Sequence, residues 1–459
     1  IVTVKEKYKA VSNGRLVSEK HDPKRRTRTF HWLQDKPHPN YLVALVVGEW
    51  DTKEWDADGV PVQAYVPRGY GKYIDLCFSR VPHMVRFFGR VTGLKYPWAK
   101  YAQACVPDFT FGGMENTSIT ILYEYCLTDE HAYPDYSSDS LLSHELAHQW
   151  FGDWLTCKSW GHLWLNESFA DYFECLWWED YYGRDDFLVH LEETRQGYYE
   201  EAEKEYKRPI VTHKFVDAED MLDSHTYNKG CGVLHMLRTV LGDELWWKGI
   251  RHYVAKHGLQ NVETVDFRVA LEEATGKSLS WFFEEWLLKA GHPELEVSWS
   301  WDEKARQVEL KVKQTQEVKD PVPLFQMPVV LEFATDDRTW RETVQIEKTE
   351  QTFRIAAPRR PRMVVFDADG ALLKKLTFKK EKEELIWQLV HAKGVWARME
   401  ACDGLGRFVG DKAAVDALEK ASTKDRFWGV RRSACLALGE VGSPDARDAL
   451  LRSLKGQDS

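Results

Sequence analysis

His144-Glu145-Leu146-Ala147-His148, followed after eighteen intervening residues by Glu167, decides how this chain reads. On a helix, residues four apart share a face, so the two imidazoles can converge on one point. Glu145 is rotated away from that direction and stays free to act on a water. Two histidines and a carboxylate are one of the donor sets of catalytic zinc, which keeps a further position for water or substrate. Glu167, in Trp164-Leu165-Asn166-Glu167-Ser168, would bring the third donor from a second helix packed against the first. The competing reading is a solvated helix with two surface histidines and a chance glutamate. The motif is short, so its context has to decide.

Two further stretches supply that context. Phe111-Gly112-Gly113-Met114-Glu115-Asn116 lies upstream, and Tyr227-Asn228-Lys229-Gly230 lies well beyond the second helix. In this order, GGMEN, HExxH-x18-E and YxKG resemble the gluzincin aminopeptidases, the group of aminopeptidase N and leukotriene A4 hydrolase. Arg208-Pro209-Ile210-Val211 and Tyr8-Lys9-Ala10-Val11-Ser12-Asn13-Gly14 extend the likeness, which covers most of residues 1–380.

The resemblance implies a zinc-dependent aminopeptidase with one Zn2+ per chain, held by His144, His148 and Glu167. Glu145 would be the general base, and the acid for the departing amine in the return step. Tyr227 would donate to the oxyanion of the tetrahedral intermediate. Glu115, with Gly112, Gly113, Met114 and Asn116 around it, would hold the free amino terminus of a peptide through charge-assisted hydrogen bonds. The paired glycines would let backbone amides approach substrate along an edge strand. Zinc histidines need orienting partners; Glu174, seven residues past Glu167, is the inherited one, and Asp171, four past it, is a second. In the family a large N-terminal β domain supplies another amine anchor, and most of that domain would precede Ile1.

At 459 residues the chain is long for one core, and about two to four domains are expected. A net charge of −10 argues against nucleic acid as a partner. No apolar run is long enough to cross a bilayer, so no membrane partner is expected. Twenty tryptophans are many, and Trp150, Trp154, Trp160, Trp164, Trp177 and Trp178 crowd the motif helices. Rings packing a dense core explain them better than a substrate platform. Eight cysteines without a CxxC pair read as reduced thiols of a cytoplasmic protein.

The expected architecture is multidomain α+β. Residues 1–60 read as the end of the N-terminal β domain: residues 1–7 and 27–32 alternate, Asn13-Gly14 signals a hairpin turn, and residues 41–47 form a continuous apolar strand. Residues 61–291 read as a thermolysin-like, mainly helical catalytic domain, with helices over 137–150 (capped by Asp139 or Ser140), 162–182 and 232–240. After Pro293, residues 292–380 alternate as strands of a small β-sandwich. Residues 381–459 contain a repeat offset by 32 to 33 residues: Ala401-Cys402 matches Ala434-Cys435, and Asp416-Ala417-Leu418 matches Asp448-Ala449-Leu450. Paired helices of this kind resemble HEAT repeats and look incomplete as a stack.

Three other functions fit parts of the pattern. Epoxide opening, as in leukotriene A4 hydrolase, would need a long apolar channel. A non-catalytic scaffold would not need His144, Glu145, His148, Glu167, Glu115 and Tyr227 all intact. Endopeptidase action conflicts with an ammonium anchor, which penalises substrates that continue past it. Oligomeric state and the preferred first residue have no local signature.

Overall fold

The computed structural model describes residues 1–455. The chain forms two compact units, Ile1–Tyr181 with Ile210–Leu288, and Tyr182–Pro209 with the chain from Lys289 onward.

Strands open the first unit. Thr27–Leu33 lies between Val2–Lys5 and Arg15–Asp22 in an antiparallel sheet, and Lys9–Ser12 pairs with Leu45–Gly48. A five-stranded sheet follows in the order Trp50–Ala57, Val60–Pro67, Tyr101–Val106, Ile119–Tyr123, Gly113–Met114. Tyr101–Val106 runs parallel to both neighbours, and its first five residues are buried, as befits a strand covered on both faces. Gly113–Met114 is a two-residue antiparallel edge, with Met114 opposite Ile121. Trp50–Ala57 and Val60–Pro67 form one hairpin, with Ala57 opposite Val60, so the division drawn after residue 60 falls at its tip.

Two local expectations are corrected. Asn13-Gly14 does not turn a hairpin, because the strands on either side of it pair elsewhere. Asn13 is buried, and its amide donates to Leu42 O (3.0 Å) and Thr117 O (2.7 Å) while accepting from Ala44 N (2.7 Å). Gly14 adopts φ 73°, where a side chain would be strained. Residues 41–47 are not one strand either. Asn40–Leu42 is a 3-10 turn and pairing begins at Leu45. The grip of Asn13 on Leu42 and Ala44 holds that bend.

Helices carry the rest of this unit. Val81–Thr92 buries Val81, Met84, Val85, Phe88 and Val91 at helical spacing and ends at left-handed Gly93. Asp139–Ala147 packs on Trp164–Tyr181, which also packs on Gly230–Leu241. The last contact is close: a Cβ on Gly230 would fall 1.8 Å from Ser168 Oγ. The expected cap on the first of these helices is not observed. Ser138 occupies the cap position without a side-chain cap bond, and Asp139 is buried against Arg80 Nε at 2.7 Å. Phe151, Phe169, Phe173, Trp164, Tyr253 and Phe267 stack through one another beneath the motif helices. Trp150, Trp164 and Trp177 are fully buried parts of this core.

The second unit includes the helix Arg184–Lys204. Its Arg195 is buried and donates to the carbonyls of Gly370 and Ala371 at 2.7 Å each. Two sheets follow: Glu350–Ala356, Gln307–Gln314, Glu294–Asp302, Lys375–Phe378, and Thr339–Ile346, Met327–Ala334, Met363–Phe366. Val308, Leu310 and Val312 alternate inward, the period-two pattern of a half-covered strand. Five helices end the described chain: Lys382–His391, Val395–Gly406, Lys412–Lys424, Trp428–Val441 and Pro444–Lys455. The repeated Ala401 and Ala434 are buried at equivalent positions, as are Leu405 and Leu438, which stand at the same offset of 33 residues.

Candidate active site

The helix Asp139–Ala147 runs into a turn at His148, so His144 and His148 sit one turn apart. Their Nε2 atoms lie 3.2 Å from each other. Glu167, in the first turn of Trp164–Tyr181, brings Oε2 to 3.5 Å from His144 Nε2 and 3.1 Å from His148 Nε2. These three atoms suit zinc. With bonds of about 2.0 to 2.1 Å in tetrahedral geometry, ligand atoms stand about 3.3 Å apart. The remaining imidazole nitrogens are also held: His148 Nδ1 by Phe151 O at 2.9 Å, and His144 Nδ1 by Asp171 Oδ1 at 2.9 Å. Glu174 Oε2 stands farther from His144 Nδ1, at 3.7 Å.

Glu145 turns toward the edge strand. A Cβ on Gly113 would lie 2.3 Å from Glu145 Oε1, so a larger residue there would push this carboxylate aside. Glu145 Oε2 is buried with no hydrogen-bond partner among the described residues. Tyr227 sits in a π-helical turn, His225–Lys229, a local widening common at functional sites. Its ring stacks near His144 (15° between planes, centroids 6.1 Å), and burial, with Glu167 foremost among the charges acting on it, pushes its hydroxyl well above the usual phenol range.

Burial and neighbouring charge set the protonation of the site. Burial pushes Glu145 up to about 7, against the opposing pull of the two histidines. Burial likewise raises Glu115, with His148 opposing it. For Glu167 burial acts upward too, but the two imidazoles outweigh it and hold the carboxyl well below its usual range. Burial would lower His144 and His148. Asp171, Glu167 and Glu174 reverse this for His144, and Glu167 and Glu115 do so for His148, which reaches about 9. The cluster is therefore built to hold positive charge.

A cavity of about 760 Å³ joins these groups. Gly112, Gly113, Met114, Glu115, His144, Glu145, His148, Glu167, Glu174 and Tyr227 all line it, while Asn116 does not. Phe111, Leu141, Leu163 and Leu222 make much of the remaining wall apolar, in the manner of a ligand site with a few convergent polar groups. Sequence reasoning missed Tyr41 and assigned Trp160 to core packing, yet the two meet edge to face at 5.5 Å and line the cavity. It also missed Gln149, whose amide donates to Glu115 O at 2.9 Å. Nothing local marks these residues as site residues, because their partners lie far away in the chain.

Residues 78–286 match the peptidase family M1 domain, and residues 383–459 match HEAT repeats. The chain is similar to aminopeptidase M1-A of Oryza sativa subsp. japonica, at 30% identity over 62% of this chain and 33% of the relative. It is also similar to aminopeptidase N of Streptomyces lividans, at 29% identity over 63% of this chain and 36% of the relative. The chain thus spans about a third of the length of these curated relatives. Among solved structures, Legionella pneumophila aminopeptidase A in complex with aspartic acid superposes with a TM-score of 0.82. That match has 18% identity and covers 97% of this chain and 55% of the other, so it speaks for the fold.

Proposed function

We propose, for a chain that belongs to the gluzincin aminopeptidases of peptidase family M1, that it hydrolyses the first peptide bond of peptides with a free amino terminus. The observation that carries this reading is one cavity lined by three donor atoms spaced for zinc, a buried unpaired glutamate beside them, and a second buried carboxylate at Glu115.

In this reading His144, His148 and Glu167 hold one zinc ion. Bound there, zinc supplies Lewis acidity, bringing a water toward deprotonation near neutral pH and polarising the scissile carbonyl. Glu145 takes the proton at its carboxylate and returns it to the departing amine. Its environment, which brings it up to about 7, suits a group working in both directions. Tyr227 donates a hydrogen bond from its hydroxyl to the oxygen on which charge develops. Glu115 accepts the substrate ammonium and sets the reading frame at one residue. Asp171 at 2.9 Å is the better placed orienting group for His144, with Glu174 in support.

The same reading keeps the four-part division at 1–60, 61–291, 292–380 and 381–459. It takes the catalytic part as thermolysin-like and the two sheets of 292–380 as a β-sandwich. All eight cysteines are free thiols, which suits a reducing cytoplasmic setting. Among the described residues no helix is long and apolar enough to cross a membrane. The test is hydrolysis of aminoacyl-coumarin amides offered with free and with acetylated amines. Cleavage strongly favouring free amines and abolished by a chelator is expected; chelator-insensitive cleavage, or none by zinc-loaded protein, would contradict the proposal.

A further inference from the structure

The turn 115–118 carries Glu115, yet little of its backbone is paired within secondary structure. Side chains distant in sequence hold it instead. Gln149 is fully buried; its Nε2 donates to Glu115 O at 2.9 Å, and its Oε1 accepts from Ser118 N at 2.8 Å and from the Tyr96 hydroxyl at 3.1 Å. Asn13 donates to Thr117 O at 2.7 Å, and Lys100 Nζ to Ser118 O at 3.2 Å. The Ser118 hydroxyl accepts from Gly14 N at 2.7 Å. Ser118 itself has φ 64°, a conformation a serine keeps only when its surroundings insist on it.

One of these grips differs from the rest. Asn13, Gly14 and Lys100 tie the turn to strands, whereas Gln149 directly follows His148 in the chain. Its main-chain carbonyl is fixed as well, accepting from Trp98 Nε1 at 3.1 Å. A side chain anchored at both ends, with every contact buried, transmits position with little slack.

We propose that Gln149 is a positioning residue for the substrate amine: its amide clamps the turn 115–118, and so fixes Glu115 at a set distance from the donor atoms of His144 and His148. The inference rests on the reading of Glu115 as the ammonium anchor. An exopeptidase must hold the amine and the scissile carbonyl one residue apart, and a clamp between the anchor and the metal helix sets that spacing.

The test compares two probes on the full chain loaded with zinc: leucine hydroxamate and 4-methylpentanoyl hydroxamate, which lacks only the amine. Calorimetry gives the affinity ratio, and hydrogen exchange reports protection of the Ser118 amide with no dependence on turnover. In Gln149→Leu the preference for the amine-bearing probe should fall by about tenfold or more. Affinity for the amine-free probe should stay within about twofold, because its contacts are unchanged, and exchange at Ser118 should accelerate. Gln149→Glu, which keeps an acceptor for Ser118 N and the Tyr96 hydroxyl but sets a second oxygen against Glu115 O, should show a fall in the same direction and serves as the second variant if the leucine variant misfolds. An undiminished amine preference in either folded variant would overturn the clamp. No amine preference in the unsubstituted protein would instead overturn the anchor reading of Glu115, and the clamp with it.

Discussion

The two ends of the cavity, which in the proposed function hold the metal and the substrate amine, are built in opposite ways. At the metal end, His144 and His148 converge because four residues make one helical turn, and Glu167 and Asp171 share the neighbouring helix in the same spacing. At the amine end, Glu115 sits on a turn whose shape depends on Gln149, Asn13 and Lys100, separated from their partners by 34, 104 and 18 residues. The first end is coded in local spacing and survives as long as its helices do. The second is coded in tertiary hydrogen bonds, so it can be detuned from residues that never touch substrate.

The largest effect that would sharpen this contrast is at the metal end. Glu145→Ala should keep metal content and lose about 10²- to 10⁴-fold in kcat, the usual worth of a general base. Elemental analysis beside steady-state kinetics checks it, and retained turnover would remove Glu145 from the chemistry. Next in size is the pair Asp171→Asn and Glu174→Gln. The shorter contact to His144 predicts a loss of about 10- to 100-fold in zinc affinity for Asp171→Asn, and a smaller loss for Glu174→Gln. Competition with a fluorescent chelator ranks them, and the reverse order would make Glu174 the main partner.

At the amine end the expected effect is on stability and reads as pH dependence. Burial brings Lys100 down to about 7. The unfolded chain, with an ordinary lysine near about 10.4, therefore binds the proton that the folded chain releases between these values. Stability should rise with pH through that window by up to about 5 kcal/mol and level off above it. Lys100→Met removes the titrating group, so melting of both proteins from pH 6 to 10 should show the unsubstituted chain gaining on the variant as pH rises. A constant gap would contradict a depressed Lys100.

What could be read from sequence follows the same divide. His144 and His148 were legible because helical spacing alone sets them on one face, whereas Glu167, on a second helix, was legible through its place in the motif. Glu115 and Tyr227 were legible only through their motifs; neither the short edge strand at Gly113 nor the π-turn at Tyr227 has a spacing signature. Asp171 and Glu174 both fall on the correct helix face, and only the side-chain distances separate them. Tyr41 read as part of a buried strand because Tyr41-Leu42-Val43-Ala44-Leu45-Val46-Val47 is apolar throughout. Asn13 bends that stretch through bonds to Leu42 and Ala44, which no local pattern could foretell. The hairpin expected at Asn13-Gly14 failed for the same reason: the asparagine spends its amide on distant backbone.

The most direct test of the two-ended site is Glu115→Gln, assayed on leucyl-coumarin amide with a free and with an acetylated amine. The substitution leaves the donor triad untouched and removes one negative charge from the amine end. If the ends act as described, the ratio of kcat/KM for free over acetylated substrate falls by about 10- to 100-fold, the worth of a hydrogen bond to a charged group. Zinc content should stay at one per chain. An unchanged ratio, with zinc in place, would contradict the account.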